Sequence, residues 1–598
     1  MKNFTRGIIL IVILFSYKSL FGQSNEWKTF YEQSNFKQTS EYQETIEYSK
    51  KLANHSEYLK YETFGKSARG KDLPLLIFDK HRGFTPAAAK KNNKLVLLIE
   101  ACIHPGESEG KDAGLMLLRN ITIHNKFTDL LDEITILFIP IFNVDGHNRF
   151  GPYNRINQNG PEKMGWRTTA QNLNLNRDFL KADAPEMKYW LKFFNKWLPD
   201  FFIDCHTTDG ADYQYVITYA LETHGNMDKN LTSWQKETYL PRLKQKMKED
   251  SIPFFRYITF KNWHDPTSGM VTGAASPMLS EGYTAVQNRP GLLIETHMLK
   301  PYKERVDGTY HTILNTIQIL NNEKNNLKKL NKKADTFCAS ENFRKKLFPL
   351  DFKPEKDSTI INFKGINYKI TKSDLTGNNW IQYTGQKKTY KIPYFNKLKV
   401  TERAKIPKMY IIPPEWHSVI SRLQIHGIKY FRIKEPLKIK INSYKYSEVR
   451  WSQSPYEGRH RIVNFKMDTC KEKRNFPEGS VVIPTNQRTA RVIAHIFEPR
   501  GPDSFLKWGF FNAIFEQKEY AEMYVMEKLA RKMLKEDKAL KKQFNKKLEK
   551  DEEFANNPWQ IINWFYSQTP YWDEKKNVYP VGKITDKKAY QKIQNSKL

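Results

Sequence analysis

Cysteine is scarce and unpaired in this sequence. The 598 residues contain four, Cys102, Cys205, Cys338 and Cys470, with no paired spacing that suggests a disulfide framework or a Cys-type zinc site. They are expected as buried, unligated thiols. Apolar runs long enough to cross a bilayer are also missing, so no transmembrane segment is expected once a leader is removed, an uncleaved signal anchor being the alternative. Acid is short: 65 Asp and Glu stand against 97 Lys and Arg, a formal net charge of +32. The lysines are spread along the chain and thicken toward its C-terminal half, as at Lys328-Lys329 and Lys546-Lys547. They build no nucleic-acid motif, so nucleic acid is not an expected partner. A solvated basic surface explains them, and an anionic envelope surface or an acidic substrate is the functional alternative, through a field that salt would screen.

What is present begins with a targeting pattern. Lys2 and Arg6 precede an apolar core, Ile8 to Phe15, and Leu20-Phe21-Gly22 forms a cleavage end, so residues 1–22 read as a signal peptide. No cysteine follows that core to carry a lipid. A secreted or periplasmic protein without a transmembrane segment is expected. With 39% apolar residues the chain has material for two to four real cores.

From Glu26 to about Asn322, apolar strand-like runs alternate with helical patterns, which predicts an α/β domain over 23–325 with a mixed, mostly buried central sheet flanked by helices. The runs lie at 94–99, 72–79, 134–142, 200–205 and 291–295. A basic linker is expected over 326–351, a β-rich accessory region over 352–500, and a helical C-terminal region over 501–598.

Polar residues gather where the strands end. Pro105-Gly106 breaks the run that closes at Ile99, and it leaves His104 and Glu107 just past the strand's carboxyl end, where open α/β sheets keep ligands. His206 follows the apolar stretch 201–205 and supplies a third donor, completing a His, Glu, His set for one zinc with a position left for water. Glu295 ends a further strand, as a solvated acid or as a general base beside such a metal. His495 and Glu498 repeat the His-x-x-Glu spacing at what reads as a strand end. Between the histidines, the stretch 165–179 places Arg167, Asn176 and Arg177 beside asparagines at alternate positions, a polar face suited to carboxylates. Asp183-Ala184-Pro185-Glu186 reads as a capping box opening a helix.

In the order and spacing of His104-Pro-Gly-Glu107, Asn143-Val-Asp-Gly146, Trp166-Arg167, Asn176-Arg177, His206 and Glu295, the chain resembles the zinc carboxypeptidases of the M14 (funnelin) family, to which carboxypeptidase A belongs. The resemblance covers roughly the first half of the chain. It implies a metallocarboxypeptidase acting on peptides or proteins. His104, Glu107 and His206 would hold one zinc ion, with Glu295 as general base and Arg167 stabilising the oxyanion. Asn176 and Arg177 would grip the substrate's terminal carboxylate. A cell-wall peptide amidase or endopeptidase of the same family, and an inert peptide- or polysaccharide-binding protein, are the alternatives.

Three departures from the family pattern stand out. Val144 replaces a proline, and Asn174 replaces the aspartate expected behind the first zinc histidine, a weaker support for ligand basicity. No tyrosine lies in 269–276, where the family's mobile tyrosine belongs; Tyr283 and Arg289 are the candidates to replace it. The loop 276–282 shapes the side-chain pocket. Its Glu281 reads as a solvent-facing acid or as a selector of basic residues.

Overall fold

The computed structural model describes residues 26–595; the targeting segment expected at 1–22 lies outside the described residues. No helix among them is long and apolar enough to cross a membrane. The first half is built on an eight-stranded sheet of order β1-β2-β4-β3-β5-β9-β6-β7. Its strands are β1 (Leu59–Lys66), β2 (Asp72–Phe78), β3 (Leu95–Glu100), β4 (Ile134–Ile139), β5 (Phe201–Thr208), β6 (Ile217–Ala220), β7 (Phe254–Arg256) and β9 (Gly291–His297), with the two-residue β8 (Met270–Val271) outside the sheet. The central pairs β4/β3, β3/β5 and β5/β9 are parallel, while β1/β2, β2/β4 and β6/β9 are antiparallel, so the sheet is mixed as expected. β3, β4 and β5 are buried at every position because helices cover both faces, which is why their sequences are continuous rather than alternating.

The helix Glu109–Thr122, which follows the His104 turn, lies close on the sheet through two glycines one turn apart. A Cβ at Gly110 would sit 2.3 Å from that of Cys205, and one at Gly114 would sit 2.2 Å from the Phe138 ring. Any side chain there would push the helix, and the turn before it, off the strand ends.

The stretch expected as a basic linker is instead a continuation of the helix Tyr302–Ala339, followed by a short helix and β10 (Leu347–Pro354). Leu327, Asn331, Ala334 and Cys338 recur at helical spacing and are buried, and Asn331 Nδ2 donates to the Asp200 carbonyl at 3.0 Å. The lysines that suggested a linker occupy the other face. The region beyond is rich in strands, as expected. Long hairpins β11/β12 (Thr359–Lys372, Asn379–Phe395) and β16/β17 (Leu437–Trp451, Ile462–Phe476) accompany a six-stranded sheet, and helices follow over Met523–Tyr566.

This region is not a detached accessory. One core joins Phe179, Trp190 and Tyr283 from the first half to Tyr410, Val419, Ile493, Trp508 and Tyr579 from the second. β8 also pairs in parallel with β12. The expected capping box at Asp183 does not form. The helix starts at Pro185 with Ala184 as its cap, and Glu186 accepts from the Ala68 backbone. Asp183 turns to the second half, bound by Arg459 through two contacts of 2.6 Å, by Arg422 at 2.7 Å and by Lys181 at 3.3 Å. Burial alone would raise its carboxyl pKa, but these three cations hold it well below the usual range. A depressed pKa contributes stability that is present above the unfolded value, roughly 3.9, and is lost as pH falls through the folded one. Asp183→Ala is therefore expected to cost about 3–5 kcal/mol at neutral pH, because it strands buried cations, and the gap to wild type should narrow in acid. Thermal unfolding at several pH values checks this; a neutral-pH loss below about 1 kcal/mol, the worth of an exposed pair, would refute it.

Candidate active site

The site forms where β3 and β5 end. His104 and Glu107 occupy the turn after β3, and His206 lies in β5, adjacent through the β3/β5 register that pairs Glu100 with Asp204. All three are buried, and their donor atoms lie within 4.8 Å of one another. His104 Nδ1 faces Glu107 Oε1 at 3.1 Å, and His206 Nδ1 faces Glu107 Oε2 at 2.8 Å. The outer nitrogens are held from behind, Nε2 of His104 by Asn174 Oδ1 at 2.9 Å and Nε2 of His206 by Asp204 Oδ2 at 2.7 Å. With the outer positions occupied, both inner nitrogens aim at one point, which fits a cation bound by two imidazoles and a carboxylate. The support is unequal. A neutral amide leaves His104 pushed down to about 4, chiefly by burial; the Asp204 and Glu107 carboxylates overcome burial at His206 and raise it.

Glu295 is the register partner of His206 across β5 and β9, so the two side chains leave the same face of the sheet. Its Oε2 is buried with no hydrogen-bond partner, and burial pushes the carboxyl up to about 8, with Glu107, Asp204 and Glu281 adding to the rise and His206 opposing it. Arg167 stands at the rim with Nη1 3.4 Å from Glu107 Oε1. The turn at Asn143–Gly146 positions it: Asn143 Oδ1 accepts from Gly146 N at 2.9 Å, and Trp166 N donates to the Gly146 carbonyl at 2.8 Å.

Asn176 is committed inside the site. Its Oδ1 accepts from Ser280 N at 3.1 Å and its Nδ2 lies 3.3 Å from His206 Nε2, so it packs between the 276–282 loop and the histidine. Arg177 donates from Nε to the Tyr456 hydroxyl at 3.1 Å and from Nη1 to the Asn176 carbonyl at 2.6 Å.

Other expectations need correction. Tyr283 is buried against His426, 2.8 Å from its Nδ1, and Arg289 is paired with Asp335 at 2.9 Å, so neither replaces the mobile tyrosine. Glu281 is not solvent-facing; it is buried in the helix Ser280–Val286, and desolvation raises its pKa. His495 belongs to a buried helix, Ala490–Phe497, rather than a strand end, and Glu498 pairs with Lys583 at 2.8 Å. All four cysteines are free thiols, and burial pushes Cys102 up to about 12.

Several site residues escaped the sequence reading. Asp204, two before His206, shares its strand face, and that period was a legible signal. Arg155 contacts Glu107 Oε1 at 2.8 Å, and Tyr257 lies close enough to Glu295 for that charge to be the first cause of its raised pKa. From the β16/β17 hairpin tip, Tyr456 holds Arg177 while Glu457 accepts from the Asn174 backbone at 2.8 Å. No local pattern announces a contact across some 280 residues.

Residues 45–251 match the peptidase M14 model, described as zinc carboxypeptidase. Carboxypeptidase 2 of Trichophyton rubrum is 21% identical over 502 residues, covering 77% of this chain and 82% of that protein, and the Trichophyton equinum protein of the same name is 20% identical over the same shares. Among solved structures, a metallo-carboxypeptidase from Pseudomonas aeruginosa aligns at 16% identity over 47% of this chain and 69% of its own, with a TM-score of 0.35. Carboxypeptidase A from Helicoverpa armigera aligns at 16% identity over 49% and 74%, also with a TM-score of 0.35. The family match takes in the segment that carries both histidines and Glu107, and the Trichophyton relatives are carboxypeptidases: residues 45–251 form a zinc carboxypeptidase domain of the peptidase M14 type, and the chain is a metallocarboxypeptidase.

Proposed function

We propose that this metallocarboxypeptidase is an exported zinc enzyme that removes C-terminal residues from peptides, with Glu295 as its general base. The observation that carries the reading is the register pairing of Glu295 with His206, which sets an unpartnered carboxylate beside the donor cluster. His104 and His206 would hold zinc through Nδ1 and Glu107 through its carboxylate. Bound there, zinc supplies a Lewis acid that brings the pKa of water toward neutrality. Glu295 takes the water's proton and passes it to the departing amine. Arg167 donates to the oxyanion as charge develops on the scissile carbonyl. Asn176 already holds Ser280, so the grip on the terminal carboxylate falls chiefly on Arg177, whose guanidinium is oriented by Tyr456. The signal-like start at 1–22 supports export, and the basic surface suits an anionic envelope.

Peptides with free and amidated C-termini test the reading on protein with measured zinc content. Arg177→Ala is expected to lower kcat/KM for free termini about 100-fold, the worth of a charge-assisted pair, and to leave the already poor amidated substrates little changed. Arg167→Ala should damage both alike, since the oxyanion is common to them. Equal cleavage of both substrate types by the wild type would replace the exopeptidase reading with an amidase or endopeptidase.

A further inference from the structure

A cleft of about 590 Å³ is lined by Tyr257, the residue whose hydroxyl feels the nearby Glu295 charge. Glu281 lines it too, together with Arg256, at the end of β7, and Tyr394, from β12 in the second half. Both halves of the chain therefore build this cavity.

Its electrostatics are unbalanced. The Arg256 guanidinium lies over the Tyr394 ring at 4.5 Å from the centroid, and among the described residues it has no ion pair or hydrogen bond. Its Nε is buried without a partner. Lys236 adds a second cation to the wall. Two acids line the cleft, and neither answers Arg256. Glu222 spends its carboxylate on the backbone N–H groups of His224, Asn226 and Ala275, while Glu281 bonds Ser280. The two cations also leave His224 neutral: after burial, Lys236 and Arg256 are what push its imidazole down to about 4.

A half-buried guanidinium over an aromatic ring, with no counter-charge, is costly unless a ligand supplies one. Its planar fork matches a carboxylate, and the ring fixes its plane without using its N–H groups. We propose that Arg256 is a specificity-determining residue of this carboxypeptidase and that the cleft binds the side-chain carboxylate of an acidic C-terminal residue, glutamate or aspartate. The proposal rests on the exopeptidase reading above. It assigns the side-chain carboxylate to Arg256 and the terminal carboxylate to Arg177.

The test uses the zinc-loaded full chain and two readouts. Peptides that differ only in a C-terminal Glu, Phe or Lys give kcat/KM, and N-acetyl-glutamate, N-acetyl-phenylalanine and N-acetyl-lysine give binding constants by calorimetry. The wild type is expected to favour Glu over Phe and Lys at least tenfold in both. Arg256→Gln should erase the Glu-to-Phe ratio, and Arg256→Lys, which keeps the charge but loses the fork, should retain part of it. Tighter binding of acetyl-lysine than of acetyl-glutamate would overturn the proposal in favour of selection by Glu281, as would a ratio unmoved in Arg256→Gln. Preferential binding of acetyl-glutamate that depends on Arg256, with no hydrolysis of any peptide, would support the subsite and count against the catalytic reading.

Discussion

His104→Ala is expected to abolish hydrolysis and remove most of the zinc. The three donors converge within 4.8 Å with no fourth protein ligand beside them among the described residues, so two remaining ligands cannot hold a site built for three plus water. The loss should reach beyond the metal. His104 also anchors Asn174, whose backbone N–H is held by Glu457 and whose Oδ1 accepts from Asn176 N at 2.9 Å. Because one core joins both halves of the chain, zinc that binds only the folded protein should raise the melting temperature of the whole molecule in a single transition. Metal analysis by mass spectrometry and calorimetry check this together. Stoichiometric zinc in both His104→Ala and His206→Ala would sink the assignment of the centre.

Glu295→Gln is expected to lower turnover by about 100-fold or more while zinc stays bound, the usual worth of a positioned acid or base. Glutamine keeps the size of the side chain and its place opposite His206 but cannot accept the water's proton. Burial is the first cause of the high pKa of this carboxyl, about 8 with no metal beside it, and a dication nearby would favour its charged form and draw it down. The acid limb of kcat/KM should accordingly lie below that value in the zinc-loaded protein and vanish in the variant. Near-normal turnover in Glu295→Gln would move the base to another group, and Tyr257 would be the first to test.

The two halves of the chain differ in how much of their work is visible locally. Around the His-Glu-His cluster, His104, Glu107 and His206 lie in or just past strands whose own apolar runs announce them. At the hairpin tip, by contrast, Tyr456 and Glu457 belong to a segment of ordinary polar character, and their role exists only because β16/β17 folds back onto residues 174–177. The same holds for Arg256, which reads as one more surface cation until Tyr394 is brought beneath it.

What the amino-acid sequence determined by itself was the sheet and the polar edge at its strand ends. A parallel strand covered on both faces must be apolar throughout, and the chain must turn where that run stops; so β3, β5 and β9, and with them His104, Glu107, His206 and Glu295, follow from short-range pattern. Only the tertiary structure decided the rest. Asp183 gave up a local cap for three cations, two of them from some 240 and 276 residues away, because a half-buried carboxylate gains more from charge than from one backbone N–H. The lysine-rich helix stayed ordered beyond residue 326 because its other face found a core, and the loop before Glu281 is held from the second half, where Asp503 Oδ2 accepts from Met278 N at 3.0 Å. Contacts of this kind depend on which surfaces meet in space, and sequence spacing carries no record of that.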